Sequence, residues 1–384
     1  MRIRKVELFG LRIPYKLPIK MAWGGRTHGD FLLVRLEADT GEYGIGSSGA
    51  LTPRLSGENL TGAMEVIEGH IAPDVLLGED PANINKINRL MDTLFHGHTL
   101  SKSPIDFALY DLLGRHYGVP VYQLLGGAQR DEIPLEWIVQ LGTPEEMAQE
   151  SRRFLDRGFQ GLKIKFSGDP QMDIARLKVV REEVGTDTPL CIDMNGGYTT
   201  ALAIQVINEI EPYRLKFIEQ PVARNDIEGM RRIRVQTPIP LAADEGAWSV
   251  EDALNLIKNE AVDYLHAAPS RIGGFTKSRQ YLSIAEAAHI TCIYSIYNGP
   301  VPEYAASCHF AFAAPPKPFP DEVVGVLNLH GGYDSDEITD SITKSCNPRL
   351  KNGRILLPEG PGFGLELDEA NIKRFLVAHK VITG

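Results

Sequence analysis

Four short apolar runs, each ending in charge, recur through the middle of the chain. They read Leu162-Lys163-Ile164-Lys165-Phe166, Cys191-Ile192-Asp193-Met194-Asn195, Phe217-Ile218-Glu219-Gln220-Pro221 and Ala242-Ala243-Asp244-Glu245. A stretch patterned as an amphipathic helix separates each from the next, which is the signature of βα units and a parallel sheet. Asp193, Glu219 and Asp244 stand 26 and 25 residues apart, about one βα unit each. In a closed α/β barrel the strand C-termini converge on one mouth. Three carboxylates would then meet there, where like charges repel unless a cation sits among them. The trio therefore reads as a divalent-metal site. Lys163 and Lys165, two residues apart on one strand, share the inward face, where an unpaired charge is costly.

The remaining segments extend this frame. Residues 1 to about 50 read as an antiparallel meander with a turn at Asp39-Thr40-Gly41. Residues 20–27 and 47–54 read as loops able to reach over a neighbouring site. From about 58 to 125 the period is helical, and Ile105 to Gly114 is dense enough in apolar residues to be a buried helix. Strand one is expected at 135–141, followed by a helix start at Thr143-Pro144-Glu145-Glu146 with a cap, a first-turn proline and early acids. Strand six is expected at 262–268, strand seven at 291–294 and strand eight at 323–329. The domain reading is a capping α+β portion at 1–128, the barrel at 129–335, and a segment at 336–384 that packs back on the cap.

Composition narrows the partners. A net charge of −10 argues against nucleic acid. No apolar run approaches the roughly 20 residues that cross a bilayer. The four cysteines are scattered without a CxxC pair, and the N-terminus lacks an apolar leader core, so a cytoplasmic protein with reduced thiols is expected.

Taken together, Ile105 to Asp111, Leu124-Leu125-Gly126-Gly127, the Lys163/Lys165 pair, the three strand-end acids, Arg271-Ile272-Gly273-Gly274 and Pro358 to Gly364 resemble the enolase superfamily. The closest resemblance is to its mandelate racemase/muconate lactonizing enzyme-like branch. That resemblance implies a modified (β/α)7β TIM-like barrel with an α+β capping domain built from both chain ends. It also implies one Mg²⁺ per chain, with Mn²⁺ an alternative, and abstraction of the proton α to the carboxylate of a small-molecule substrate. A homo-oligomer follows by the same analogy. Oxygen ligands Asp193, Glu219 and Asp244 suit Mg²⁺, which would stabilise the charge of an enediolate. Lys165 would be the base, its pKa lowered by desolvation, the ion and Lys163, which itself would bind a substrate oxygen. Asn195 is assigned to substrate, and Glu245 to support behind the metal ligands. Trp23 and Arg26 fall on the loop that caps the mouth in relatives.

The sequence also departs from that pattern. Relatives carry a second base, either a lysine ending strand six or a histidine ending strand seven. The first position is Ala268, and the second region, around Tyr294, has no histidine. Strand eight lacks the Asp-x-Asp that dipeptide epimerases use for an ammonium group. A single base favours a one-face reaction, most simply syn elimination of water from a β-hydroxy acid such as cis-3-hydroxy-L-proline, with Ala268 and Tyr294 in the far wall. The alternatives are a racemase or epimerase of amino acids or proline betaines, with Tyr294, His266 or a cap residue as second acid, and a non-catalytic binder on the same scaffold.

Overall fold

The structure is a computed structural model that describes residues 1–21, 24–296, 298–322, 325–339 and 341–384, with side chains at 18–24 outside the description. The meander is three strands, β1 (Ile3–Met21), β2 (Gly24–Ala38) and β3 (Tyr43–Ser47). The expected loop at 20–27 is instead the end of a long hairpin. Ile19 pairs with Arg26 and Met21 with Gly24, so the ladder runs almost to the tip. The backbone groups there are satisfied by pairing rather than by solvent.

One helix, Thr99–Tyr117, fastens the cap. Every side chain from Leu100 to Gly114 is buried, as the apolar density predicts. It lies hard against β3, because a Cβ at Gly44 would meet the Ala108 carbonyl oxygen at 2.1 Å and one at Gly46 that of Pro104 at 2.1 Å. Its two aspartates tie distant segments together. Asp111 accepts from the Ile45 amide at 2.9 Å and the Phe363 amide at 2.7 Å. Asp106 accepts from the Thr276 hydroxyl and from Asn88, both at 2.7 Å.

After β4 (Glu132–Pro134) come seven parallel strands in sequence order around one sheet. They are β5 (Glu136–Val139), β6 (Gly161–Lys165), β7 (Leu190–Asp193), β8 (Ile218–Glu219), β9 (Leu241–Ala243), β10 (Tyr264–Ala267) and β11 (Thr291–Tyr294). The helix after β5 is capped as the sequence predicts. Thr143 and Glu146 form a reciprocal capping box at the start of Pro144–Asp156.

Strand eight is not at 323–329. Residues 323 and 324 lie outside the described residues, and Gly325–His330 is a buried helix. A short apolar run carries no period that separates a buried strand from a buried helix, and here the helix wins. Asp321 and Glu322 close the barrel instead, bridging to Leu135 on one side and Ser295 on the other. The Glu136 amide donates to Asp321 at 3.0 Å and the Glu322 amide to Tyr294 at 3.0 Å. Beyond the barrel, β12 (Leu350–Lys351) and β13 (Arg354–Leu356) form a small sheet with β4. The last strand, β14 (Leu376–Thr383), pairs antiparallel with β1 at the edge of the cap sheet.

Candidate functional site

The two-residue period of a strand decides which side chains reach the barrel axis. Cys191, Phe217, Ala242 and Ile293 face inward low in the barrel and pack with Tyr264 and Phe319 as an apolar floor. Two residues further on, Asp193, Glu219, Asp244 and Ser295 line a cavity of about 100 Å³ at the strand C-termini. The parallel register sets Lys165 beside Asp193 and Asp193 beside Glu219.

Each charge in this cluster has a partner. Lys165 Nζ lies 2.5 Å from Asp193 Oδ2 and donates to Asn195 Oδ1 at 3.3 Å. Asn195 bridges onward, its amide nitrogen 2.9 Å from both Asp193 and Glu245. Lys163, fully buried beneath the cavity, pairs with both Glu219 and Glu322. Arg271 pairs with Asp244.

The electrostatics are those of an over-acidic pocket. Burial, then the neighbouring acids Asp193, Glu322 and Asp244, push Glu219 well above the carboxylate range, with Lys163 opposing. Burial and the charges of Asp244, Asp193 and Glu219 raise Glu245 to about 8. Asp244 goes the other way, down to about 2, because Arg271, His266 and Lys163 outweigh its burial. The lysine expected to be depressed is raised: burial lowers Lys165, but Asp193 and Glu219 more than offset it. Converging carboxylate oxygens are the donor set a hard divalent cation requires, so the residues fit Mg²⁺. Ligand atoms of Glu219, Asp244 and His266 all lie within 4.8 Å of one another. His266 is 1 % exposed and does not line the cavity, whereas Asp193, Glu219 and Asp244 do. The three acids are therefore the better-placed set.

Several expectations are redistributed. Ala268 lines the cavity, as do Asn195 and Glu245. Tyr294 does not: its hydroxyl donates to the Pro315 carbonyl at 2.8 Å and Arg130 stacks over its ring at 5.5 Å. Inward Ile293 and Ser295 force Tyr294, the residue between them, to the outer side. Arg26 also lies off the cavity wall, bonded to Thr52 because hairpin pairing carries it along β2. Trp23 lies outside the described residues. His266 sits below Ala268 with Nε2 2.9 Å from Glu219, and burial and then Lys163 lower its pKa to about 4, so it is neutral.

Sequence reasoning missed Glu322, Arg271, Trp248, Ser295, Asn298 and Asn328, all in the cavity wall. A signal existed for Glu322. It follows Ser295 by 27 residues, one more unit of the same spacing, and it ends in charge.

Comparison with known proteins accords with this architecture. Residues 3–126 match the profile of the mandelate racemase/muconate lactonizing enzyme N-terminal domain, and residues 146–371 match an enolase C-terminal domain-like profile. The chain is 29 % identical to an N-succinyl-L-Arg/Lys racemase of Bacillus cereus over the whole of both chains. It is 30 % identical to a hydrophobic dipeptide epimerase of Enterococcus faecalis, covering 95 % of this chain and 99 % of that one. Among solved structures, a mandelate racemase/muconate lactonizing family protein from Azoarcus sp. EbN1 superposes with a TM-score of 0.91 at 35 % identity, over all of both chains. A dipeptide epimerase from Cytophaga hutchinsonii, complexed with Mg and a dipeptide, superposes at 0.90 and 27 % identity, again over all of both.

Proposed function

The chain belongs to the mandelate racemase/muconate lactonizing enzyme family of the enolase superfamily, and from that premise we propose that it is a one-base dehydratase. Its substrate would be a small β-hydroxy carboxylate whose α-proton and hydroxyl share a face. Among the 3-hydroxyprolines that is trans-3-hydroxy-L-proline, because the cis isomer expected from the resemblance carries its hydroxyl on the carboxylate's face, opposite the α-proton. Asp193, Glu219 and Asp244 would hold a Mg²⁺ ion. When bound, such an ion offsets the acids' charge and stabilises negative charge developing on the substrate carboxylate.

The observation that carries this reading is the asymmetry of the cavity. Lys165 stands on β6, and the position opposite it, after β10, is Ala268. Asp193 and Glu219 hold Lys165 protonated in the metal-free site, and a bound cation would offset them. As the free amine Lys165 takes the α-proton, and the electron pair moves into the carboxylate. The pair then returns, the C–O bond at the β-carbon breaks, and the same ammonium gives its proton to the departing hydroxyl, which leaves as water. Proton and leaving group lie on one face, so one side chain serves both transfers. Asn195 fixes the Lys165 amine through its 3.3 Å contact, and Lys163 is placed to pair with and orient Glu219 and Glu322.

The second reading is a racemase or epimerase, favoured by the names of the racemase and epimerase relatives. It requires an acid on the opposite face. His266 is neutral and below the cavity, and Tyr294 points out of the barrel, so the geometry supports it less well. Proton NMR in D₂O with Mg²⁺ separates the readings, using cis- and trans-3-hydroxyproline, proline, proline betaine and sugar acids. Loss of substrate signals with a keto or imine product supports elimination. Deuterium at the α-position with inversion and no water loss supports epimerisation.

A further inference from the structure

The helix Gly325–His330 follows the closing residues of the barrel, and Val326, Leu327 and Leu329 on it are buried and apolar. Asn328 is the exception. It is 4 % exposed and lines the cavity together with Gly325, its neighbour one turn earlier. Its Nδ2 is enclosed by protein and has no hydrogen-bond partner among the described residues. A buried polar group left in that state costs the fold stability, and native structures keep one where something pairs with it later. The helix holds it firmly in place. It is pressed against the loop after β11, where a Cβ at Gly325 would lie 2.5 Å from Asn298 Oδ1. The carboxamide is therefore pre-positioned before any ligand arrives.

What it reads follows from its neighbours. The substrate carboxylate belongs at the Asp193, Glu219 and Asp244 end of the cavity. Glu322 also lines the cavity and shares Lys163 with Glu219, so a second carboxylate is repelled. A neutral acceptor fits, and a hydroxyl can accept from Asn328 while donating to a carboxylate oxygen. Resting on the elimination reading above, we infer that Asn328 is a specificity-determining residue whose carboxamide donates to the substrate hydroxyl. It selects β-hydroxy acids over their deoxy counterparts.

The test is titration calorimetry of the full chain with Mg²⁺ and matched pairs, trans-3-hydroxy-L-proline against L-proline and L-serine against L-alanine. In the wild type the hydroxylated member of a pair binds about tenfold more tightly, the worth of one hydrogen bond to an otherwise unpaired group. In Asn328→Ala that ratio collapses toward one. A ratio unchanged in the variant overturns the assignment. Asn328→Leu guards against a purely structural role: without ligand its Tm stays at or above the wild-type value, because an unpaired amide has been replaced by carbon. A clear fall in Tm would mean the carboxamide serves the fold and would also overturn the inference. Failure of the elimination reading shows elsewhere, as absence of water release in the NMR assay, and leaves the binding ratio readable.

Discussion

Two halves of the same barrel mouth differ in kind. From β6 to β9 the strand ends carry Lys165, Asp193, Glu219 and Asp244. From β10 to β11 they carry Ala268 and Ser295. The backbone frame is the same on both sides, with parallel strands in sequence order. What differs is the side chain that the two-residue period delivers to the axis. The fold accounts for a shared mouth, and the reaction is read from which side of it is armed.

The largest expected effect comes from disarming the charged half. Lys165→Ala should lower α-proton exchange and turnover by about 10³-fold, within the range for loss of a positioned acid–base group, with circular dichroism unchanged. Retained turnover would break the comparison. Glu219→Gln should abolish Mg²⁺-dependent activity and weaken Mg²⁺ binding by calorimetry, and chelation of the wild type should do the same reversibly. Arming the silent half sharpens the comparison: Ala268→Lys should introduce inversion at the α-carbon, read as deuterium in the opposite enantiomer.

Smaller effects concern the frame. Asp111→Ala removes the partner of two buried amides and of Arg115, and should cost about 3 kcal/mol in denaturant unfolding without altering catalytic pH dependence. The histidine farther from the site, His309, is wholly buried and accepts from the Tyr122 amide at 3.0 Å. Burial lowers its pKa to about 3. The unfolded chain takes up that proton near pH 6.5 and the native chain does not until about 3. Stability is therefore unaffected above about 6.5 and falls with acidification between those values, with a slope of up to ~1.4 kcal/mol per pH unit from this group. His309→Gln should flatten that part of the pH–stability curve.

The armed half was the more legible in the sequence, for a physical reason. A charge at the end of an apolar run announces both a strand and its inward face, as at Asp193 and Glu219. The silent half gives no such mark. Around Tyr294 both faces of β11 are covered, so apolar residues occupy both parities and the inward one, Ser295, cannot be chosen locally. Among the described residues the closing bridges are those of Asp321 and Glu322, and Gly325–His330 in the apolar run is a helix. Asn328 within that run reads as an interruption until the helix turns it to the cavity. The cap helix was visible as buried, but the farthest partners of Asp106 and Asp111 lie 170 and 252 residues away and follow from the fold.

The most direct test of the one-sided site is a single turnover mixture of wild-type protein, Mg²⁺ and trans-3-hydroxy-L-proline in D₂O, followed by proton NMR with chiral analysis of recovered substrate. The account predicts a dehydrated imine product, and any deuterated substrate recovered keeps its original configuration. Recovery of substrate deuterated and inverted at the α-carbon, without water release, would contradict it, because proton delivery to that face needs an acid where Ala268 stands.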